Sequence, residues 1–269
     1  MQKLNVIGVA GQRRAGKDSL ADCLAPLFGG RKMIDLRSSE TYTTHWGRGS
    51  FASEVKRIFC ETFMFDPTLI DEWKVKDEPP PGFDKAVREG LTTIGDGFRE
   101  IMGDIWIRRA FRDETCLRKV YSDIRYLNEG KKVHEVGGPN ILICHPDRIN
   151  YLANRSESEL RPYILWCNDT GREGPIKAWP EFHALCQEDG RDGYMHFPFH
   201  DKADYLRFLG QSTHDPIPDF ISISTEDFIK NLSIFDVFIR NQGTLEDLYE
   251  KARVLVVPWI NGHYHLEAA

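Results

Sequence analysis

Apolar residues near the start of the chain first form a short run and then recur at helical intervals. The run comprises Leu4, Val6, Ile7 and Val9, and a continuous run of this kind is typical of a strand buried in a parallel sheet. After Lys17 the spacing becomes helical, at Leu20, Ala21, Cys23, Leu24, Leu27 and Phe28. Gly29 and Gly30 then end the helical spacing. The pattern therefore predicts a strand, a turn and a helix in that order.

The same two patterns return along the chain. Helical spacing marks residues 51–59 (Phe51, Ala52, Val55, Ile58, Phe59) and residues 91–101 (Leu91, Ile94, Phe98, Ile101). Short core strands are predicted at Leu117, Val120 and Tyr121, at 140–144, at 220–224 and at 234–239. Thr244 and Asp247 form a capping-box pattern ahead of a final helix. This alternation of strands and helices predicts an α/β fold with a parallel sheet flanked by helices.

Composition narrows the class of protein. A chain of 269 residues with 41% hydrophobic and 28% charged residues is typical of one folded α/β domain with insertions. The formal net charge of −6 argues against a nucleic-acid backbone as partner, because such proteins usually present a strongly basic face. No apolar segment reaches the 18 residues or so that a membrane helix needs, and the N-terminal run is short for a signal peptide.

The six cysteines are far apart and form no CxxC pair. This spacing indicates neither a zinc ribbon nor a dithiol redox motif, and we expect reduced thiols and a cytoplasmic protein. His196 and His200 lack further ligands at metal-binding spacing, so they are interpreted as surface or packing residues.

The turn predicted after the first strand has the spacing of a phosphate-binding loop. Gly11, Gly16 and Lys17 match GxxxxGK, and the glycines allow backbone N–H groups to point at phosphate oxygens while Lys17 neutralises the outer phosphates. The predicted nucleotide-binding residues of the loop are Gly11, Arg13, Arg14, Ala15, Gly16, Lys17, Asp18 and Ser19. A plain glycine-rich turn that caps a helix is the alternative.

The residue after the lysine departs from the motif. Asp18 stands where a Ser or Thr hydroxyl normally binds Mg²⁺, and a carboxylate is an equally hard oxygen ligand. Asp18 and Ser19 are therefore predicted to lie near Mg²⁺. The strand at Val120 ends in Ser122, Asp123 and Arg125, and ligands of open parallel sheets bind at such carboxyl ends. Asp123 is predicted for Mg²⁺ and Arg125 for phosphate; a capping or salt-bridge role for Asp123 is the alternative.

Five segments together resemble a known family. They are the loop GQRRAGKDS, SFASEVKRIF (50–59), REGLTTIGDGFREIMGDIWIRRAF (88–111), YSDIRYLNEG (121–130) and IRNQGTLEDLYEKA (239–252). In this order they resemble the deoxynucleoside monophosphate kinases of T-even bacteriophages and their relatives. The resemblance implies a P-loop NTPase-type fold over residues 1–269, and Mg²⁺-dependent transfer of phosphate from ATP to a (deoxy)nucleoside monophosphate.

The resemblance also implies roles for individual residues. It places the acceptor in residues 40–112, with Lys56, Arg99 and Asp123 as acceptor contacts, and a lid in residues 146–212, which begins with Arg148, Arg155 and Arg161. Asn241 and Gly243 would contact the donor nucleotide. Lys17, Arg99 and Arg125 would stabilise the transferred phosphoryl group. A solvated helix charge remains the alternative for Lys56, and a surface salt bridge for Arg99.

Two other functions stay open at this stage. Animal phosphomevalonate kinases resemble the chain in the GKD loop and in Ser122-Asp123-Ile124-Arg125. A nucleotide-binding switch or assembly ATPase would use the same loop, although no strand ending in paired acids and no NKxD motif is present. We expect small nucleotides as partners, no nucleic acid and no membrane. The oligomeric state stays open between monomer and homodimer, and the cytoplasm would be that of the host if the chain is of phage origin.

Overall fold

The computed structural model describes residues 2–12, 14–28, 30–34, 41–112, 118–147, 159–187, 193–198 and 220–265. The chain divides into two compact units. One, here called the sheet unit, combines Met1–Arg48 with Arg118–Ala269. The other, here called the helical unit, is Gly49–Leu117.

The described residues form the following strands and α-helices. The strands are β1 Gln2–Lys3, β2 Val6–Gly11, β3 Gly30–Ile34, β4 Thr41–His45, β5 Gly47–Gly49, β6 Lys119–Ile124, β7 Asn140–Cys144, β8 Gly174–Pro175, β9 Tyr194–Pro198, β10 Phe220–Ser224, β11 Val237–Arg240 and β12 Tyr264–His265. The α-helices are α1 Lys17–Leu27, α2 Ser53–Phe63, α3 Ile70–Trp73, α4 Val87–Ile101, α5 Ile105–Ala110, α6 Leu127–Glu135, α7 Arg161–Asp169, α8 Pro180–Gln187, α9 Thr225–Leu232, α10 Leu245–Lys251 and α11 Val257–His263. A π-helical turn, Ala252–Val256, joins α10 to α11.

A six-stranded sheet forms the centre of the sheet unit, in the order β5-β6-β2-β7-β11-β8. Strand β2 is parallel to both β6 and β7, and β11 is parallel to β7, whereas β8 is antiparallel to β11. Helices α1, α6 and α7 contact these strands. The prediction of an α/β fold with a mostly parallel, helix-flanked sheet is confirmed.

Apolar residues of the central strands and of α1 form one core. All six residues of β2 are buried, as the continuous apolar run predicts for a parallel strand. Leu20 and Leu24 of α1 pack in the same cluster as Ile141 and Ile143 of β7. The first strand, turn and helix therefore follow the predicted order.

Strand β10 corrects one prediction, because residues 220–224 are not a strand of the core sheet. They pair with β9 in a separate antiparallel two-stranded sheet. Ile221 and Ile223 are only half-buried, and this segment alternates Ile with Ser rather than forming a continuous apolar run. Such alternation suits a strand with one solvated face. The strand predicted at 234–239 is shorter at its start, Val237–Arg240, and Ile234 and Phe235 are buried before it.

The helical unit has its own apolar cluster, made by Phe59, Cys60, Ile70 and Val87. A Cβ added at Gly90 of α4 would lie 2.6 Å from Cε2 of Phe59, so the absence of a side chain there allows α2 to pack against α4.

The predicted apolar face of α4 is buried only in part. Leu91 and Ile94 pack against the cluster of the helical unit, whereas Phe98 and Ile101 are 41% and 84% exposed. Trp106 is buried, and its Nε1 donates a hydrogen bond to the carbonyl oxygen of Gly95 at 2.9 Å.

The range 146–212, predicted as a lid, lies partly outside the described residues, and so do Arg148 and Arg155. Within the described part, β8 is the edge strand of the central sheet and α7 buries Tyr163, Ile164 and Cys167. Arg161 is the first residue of α7 and is buried. The range predicted for acceptor binding, 40–112, overlaps the helical unit. No helix within the described ranges is long and apolar enough to cross a membrane.

Candidate phosphate-binding site

The turn between β2 and α1 has a backbone conformation that requires glycine at two points. Gly11 has φ 153° and Gly16 has φ 92°, and a Cβ at Gly11 would lie 2.0 Å from the carbonyl oxygen of Ile143. Arg14 is also left-handed, with φ 61°. This tight turn joins the end of β2 to the first turn of α1. Arg13 lies outside the described residues.

Lys17 is the first residue of α1, and its side chain folds back onto the loop. Its Nζ donates hydrogen bonds to the carbonyl oxygens of Gly11 and Gln12, each at 2.8 Å. The helix begins after Gly16, and no side chain caps it. The first N–H groups of a helix have no intrahelical partner and carry partial positive charge, which makes this end of α1 suited to an anion.

Two further hydrogen bonds fix the loop to the segments after the neighbouring strands, and a third joins the ends of those strands to each other. Gln12 Nε2 donates to the carbonyl oxygen of His145 at 2.7 Å, just after β7. Asn241, just after β11, donates from its backbone N to Cys144 O at 2.7 Å and from Nδ2 to Ala15 O at 2.9 Å. The carboxyl ends of β2, β7 and β11 thus meet at one edge of the sheet.

A cleft of about 400 Å³ opens at this edge. Its lining residues come from the loop and from the segments after β7 and β11: Arg14, Gly16, Lys17, Asp18, Ser19, His145, Asn241 and Gly243. From β2 the chain continues to β5 and β6 on one side, and from β7 it continues to β8 and β11 on the other. The connections therefore leave the adjacent strands β2 and β7 in opposite directions. Ligands of open α/β sheets bind in the crevice that such a reversal creates.

The loop before α10 is shaped by a capping box, as predicted. Thr244 N donates to Asp247 Oδ2 at 2.7 Å, and Asp247 N donates to Thr244 Oγ1 at 3.2 Å. Hydrogen bonds from Thr244 lower the pKa of the Asp247 carboxyl. The cap holds the start of α10 directly after Asn241 and Gly243, which line the cleft.

Asp18 belongs to a charged network on the sheet unit. Its Oδ1 accepts hydrogen bonds from Ser122 Oγ, at 2.6 Å, and from Arg48 Nη2. Burial raises the pKa of Asp18, but the hydrogen bond from Ser122 and the positive charge of Arg48 outweigh it, and the pKa lies below its ordinary value. Asp18 is therefore ionised at neutral pH.

Asp18, Ser19 and Ser122 are the hard oxygen donors at the loop. Mg²⁺ usually keeps several waters and takes only one or two protein ligands together with phosphate oxygens, so this small donor set fits it. The strand residue that contacts the loop is Ser122. Asp123 follows it in β6, where the register of pairing with β2 shifts between Gly8 and Ala10. In the described part of the chain, no group of three or more His, Cys, Asp or Glu side chains is arranged to hold a metal.

The other predicted site residues belong to the helical unit or follow β6. Lys56 of α2 forms an ion pair with Asp71 at 2.7 Å within the helical unit. Arg99 is half-buried in the last turn of α4. Arg125 follows β6, and its backbone N donates to Glu129 Oε2 at 2.8 Å at the start of α6.

Four residues of the site were given no role from the sequence: Gln12, Arg48, Ser122 and His145. Ser122 was named only as part of the end of a predicted strand. His145 directly follows a predicted core strand. Because ligands bind at the carboxyl ends of such strands, this position could have identified His145 as a site residue. Gln12 lies inside the motif at a position that the motif leaves open. Arg48 belongs to a stretch without any apolar periodicity, and no sequence signal identifies it.

Neither the models of known protein families nor the curated proteins contain a match to this chain.

Proposed function

We propose that the chain is a Mg-ATP-dependent kinase that transfers the γ-phosphoryl group to a (deoxy)nucleoside 5′-monophosphate. The observation that supports it most is the cleft at the end of β2. There an uncapped helix start, Lys17 and two glycines of positive φ lie together, where the connections from β2 and β7 leave in opposite directions. A P-loop NTPase-type fold, with β2 as the strand before the loop, is part of the same proposal.

The chemistry of this reaction suits such a site. The acceptor phosphate is largely a dianion at neutral pH, because its second pKa is about 6, so no catalytic base is required. Catalysis then consists of holding two anionic groups in line and compensating charge in the transition state. Lys17 would neutralise the donor phosphates, and Arg99 and Arg125 would supply further positive charge. A bound Mg²⁺ would neutralise phosphate oxygens.

Asn241 and Gly243 line the cleft that we assign to the donor nucleotide. Lys56 and Arg99, both in the helical unit, are assigned to the acceptor together with Asp123. These acceptor assignments derive from the family resemblance. Nucleoside monophosphates are cytoplasmic metabolites, so a cytoplasmic location follows from the same proposal.

A panel of nucleoside and deoxynucleoside monophosphates tests the proposal. Each would be incubated with Mg-ATP, and ADP release and the new diphosphate would be measured, with inorganic phosphate release as a control. We expect ADP release that depends on one or more of the monophosphates.

The other outcomes contradict the proposal in distinct ways. ADP release only with other phosphorylated metabolites would indicate a metabolite kinase. ATP hydrolysis that no acceptor stimulates would favour a switch or assembly ATPase. Absence of ATP binding in calorimetry would show that the cleft is not a nucleotide site.

A further inference from the structure

Arg48 contacts the two oxygens that join the loop to β6. Its Nη2 donates hydrogen bonds to Asp18 Oδ1 and, at 2.7 Å, to Ser122 Oγ. These two oxygens are themselves 2.6 Å apart. One guanidinium nitrogen thus lies beside a carboxylate oxygen and a hydroxyl oxygen at once.

The other arm of the guanidinium is held by Asp22. Arg48 Nη1 lies 2.7 Å from Asp22 Oδ1 and 3.3 Å from the carbonyl oxygen of Asp18. Asp18 and Asp22 are four residues apart, so they lie on the same face of α1. The side chains of Arg48, Asp18 and Asp22 are 38%, 80% and 66% exposed, so solvent and ions reach the group.

A carboxylate and a hydroxyl are also the two protein donors that hold Mg²⁺ in P-loop NTPases, with the hydroxyl on the loop and the carboxylate on a strand. Here the positions are exchanged, because Asp18 is on the loop side and Ser122 is on β6. We propose that Asp18 and Ser122 form the cation-binding pair of this site and that Arg48 competes with the divalent cation for it. This inference rests on the proposed function, since the cation would be the magnesium of the nucleotide.

The competition follows from geometry and charge. A divalent cation bound to Asp18 Oδ1 and Ser122 Oγ would need the place beside these oxygens that Arg48 Nη2 takes, and two positive groups repel each other there. Binding of the cation therefore requires Arg48 to turn away. The guanidinium would still pair with Asp22, so Arg48 would stay near α1 after the cation has replaced it beside Asp18 and Ser122. The consequence is that Arg48 lowers the affinity of the site for divalent cations.

Direct titration with Mn²⁺ tests this inference without any nucleotide. Free Mn²⁺ would be followed by electron paramagnetic resonance in the presence of the wild-type protein, Arg48→Met and Arg172→Met. Arg172 is the matched control, because it is an exposed arginine paired with a carboxylate, Glu181, next to β8 at the far edge of the sheet. We expect Arg48→Met to raise the Mn²⁺ affinity about tenfold, which is the size of an ordinary coupling between two competing groups. Arg172→Met should leave the Mn²⁺ affinity unchanged.

Two double variants identify the oxygens involved. In the Arg48→Met background, Ser122→Ala should abolish the gain in Mn²⁺ affinity, whereas Asp22→Asn should leave most of it. The inference is overturned if Arg48→Met binds Mn²⁺ no better than wild type, or if Asp22→Asn rather than Ser122→Ala abolishes the gain. The latter result would assign the cation to the two carboxylates of α1.

Circular dichroism would establish that each variant is folded. Should Arg48→Met fail to fold, Arg48→Lys provides the test, because one ammonium cannot bridge both carboxylates and Ser122 as the guanidinium does. An intermediate gain in Mn²⁺ affinity is then expected, and no gain would overturn the inference. Failure of the proposed function would appear separately, as absence of ATP binding, because the Mn²⁺ titration requires no nucleotide.

Discussion

The substitution Gly16→Ala probes the loop where its conformation is most restricted. Gly16 has φ 92°, and a Cβ there would lie 2.4 Å from Nδ2 of Asn241. That amide cannot move freely, because it donates a hydrogen bond to Ala15 O at 2.9 Å. The methyl group therefore imposes both backbone strain and the loss of a tertiary hydrogen bond.

The magnitude follows from these two effects. A left-handed conformation costs a non-glycine residue about 1–2 kcal/mol. Loss of the bond between Asn241 and Ala15 costs about 1 kcal/mol. The total is about 2–3 kcal/mol. If the loop of the variant relaxes and the ligand must restore its conformation, the affinity for the ligand falls about 30- to 150-fold. If the loop keeps its shape instead, the free energy of unfolding falls by the same amount.

Two measurements capture both outcomes. Calorimetric titration with Mg-ATP gives the affinity, and urea unfolding followed by circular dichroism gives the stability. Gly47→Ala is the control, because a Cβ there meets no atom within 4 Å and its φ is not positive. Repeating Gly16→Ala in an Asn241→Ala background removes the clash, and the cost should fall by about 1 kcal/mol, the coupling between the two residues. Unchanged affinity and unchanged stability in Gly16→Ala would refute this account of the loop.

Three further predictions concern separate parts of the molecule. Lys17→Met should reduce kinase activity by orders of magnitude with an intact circular dichroism spectrum, because it removes phosphate charge compensation and little packing; near wild-type activity would contradict the site. Arg99→Lys should raise KM for the monophosphate and lower kcat while ATP affinity stays constant, because lysine lacks the bidentate geometry of arginine; equal weakening of ATP binding would remove Arg99 from the acceptor site. Asp236→Ala should lower the free energy of unfolding by about 2–3 kcal/mol in urea titrations, because buried Asn140 N loses its acceptor, whereas the exposed control Asp169→Ala should change it little. Equal stability of these two variants would contradict the role of Asp236.

The elements that depend on neighbours along the chain could be predicted best from the sequence. The strand before Gly11, the helix after Gly16 and the capping box of Thr244 and Asp247 all follow from local steric and hydrogen-bonding preferences. The prediction from the sequence was wrong about residues 220–224, which alternate Ile with Ser and so suit a strand with one solvated face rather than a core strand. The tertiary structure identifies β9 as the partner of this strand.

The sequence by itself determined the loop and the alternation of strands and helices, because both depend on contacts between residues a few positions apart. Which residues surround the loop was decided by the order of the strands. That order brings Asn241 to Ala15 across 226 positions, and Ser122 to Asp18 across 104. Arg48 reaches Asp18 in the same way, from a stretch with no periodic signal. Pairings over such separations depend on how the whole sheet assembles, and no local pattern in the sequence records them.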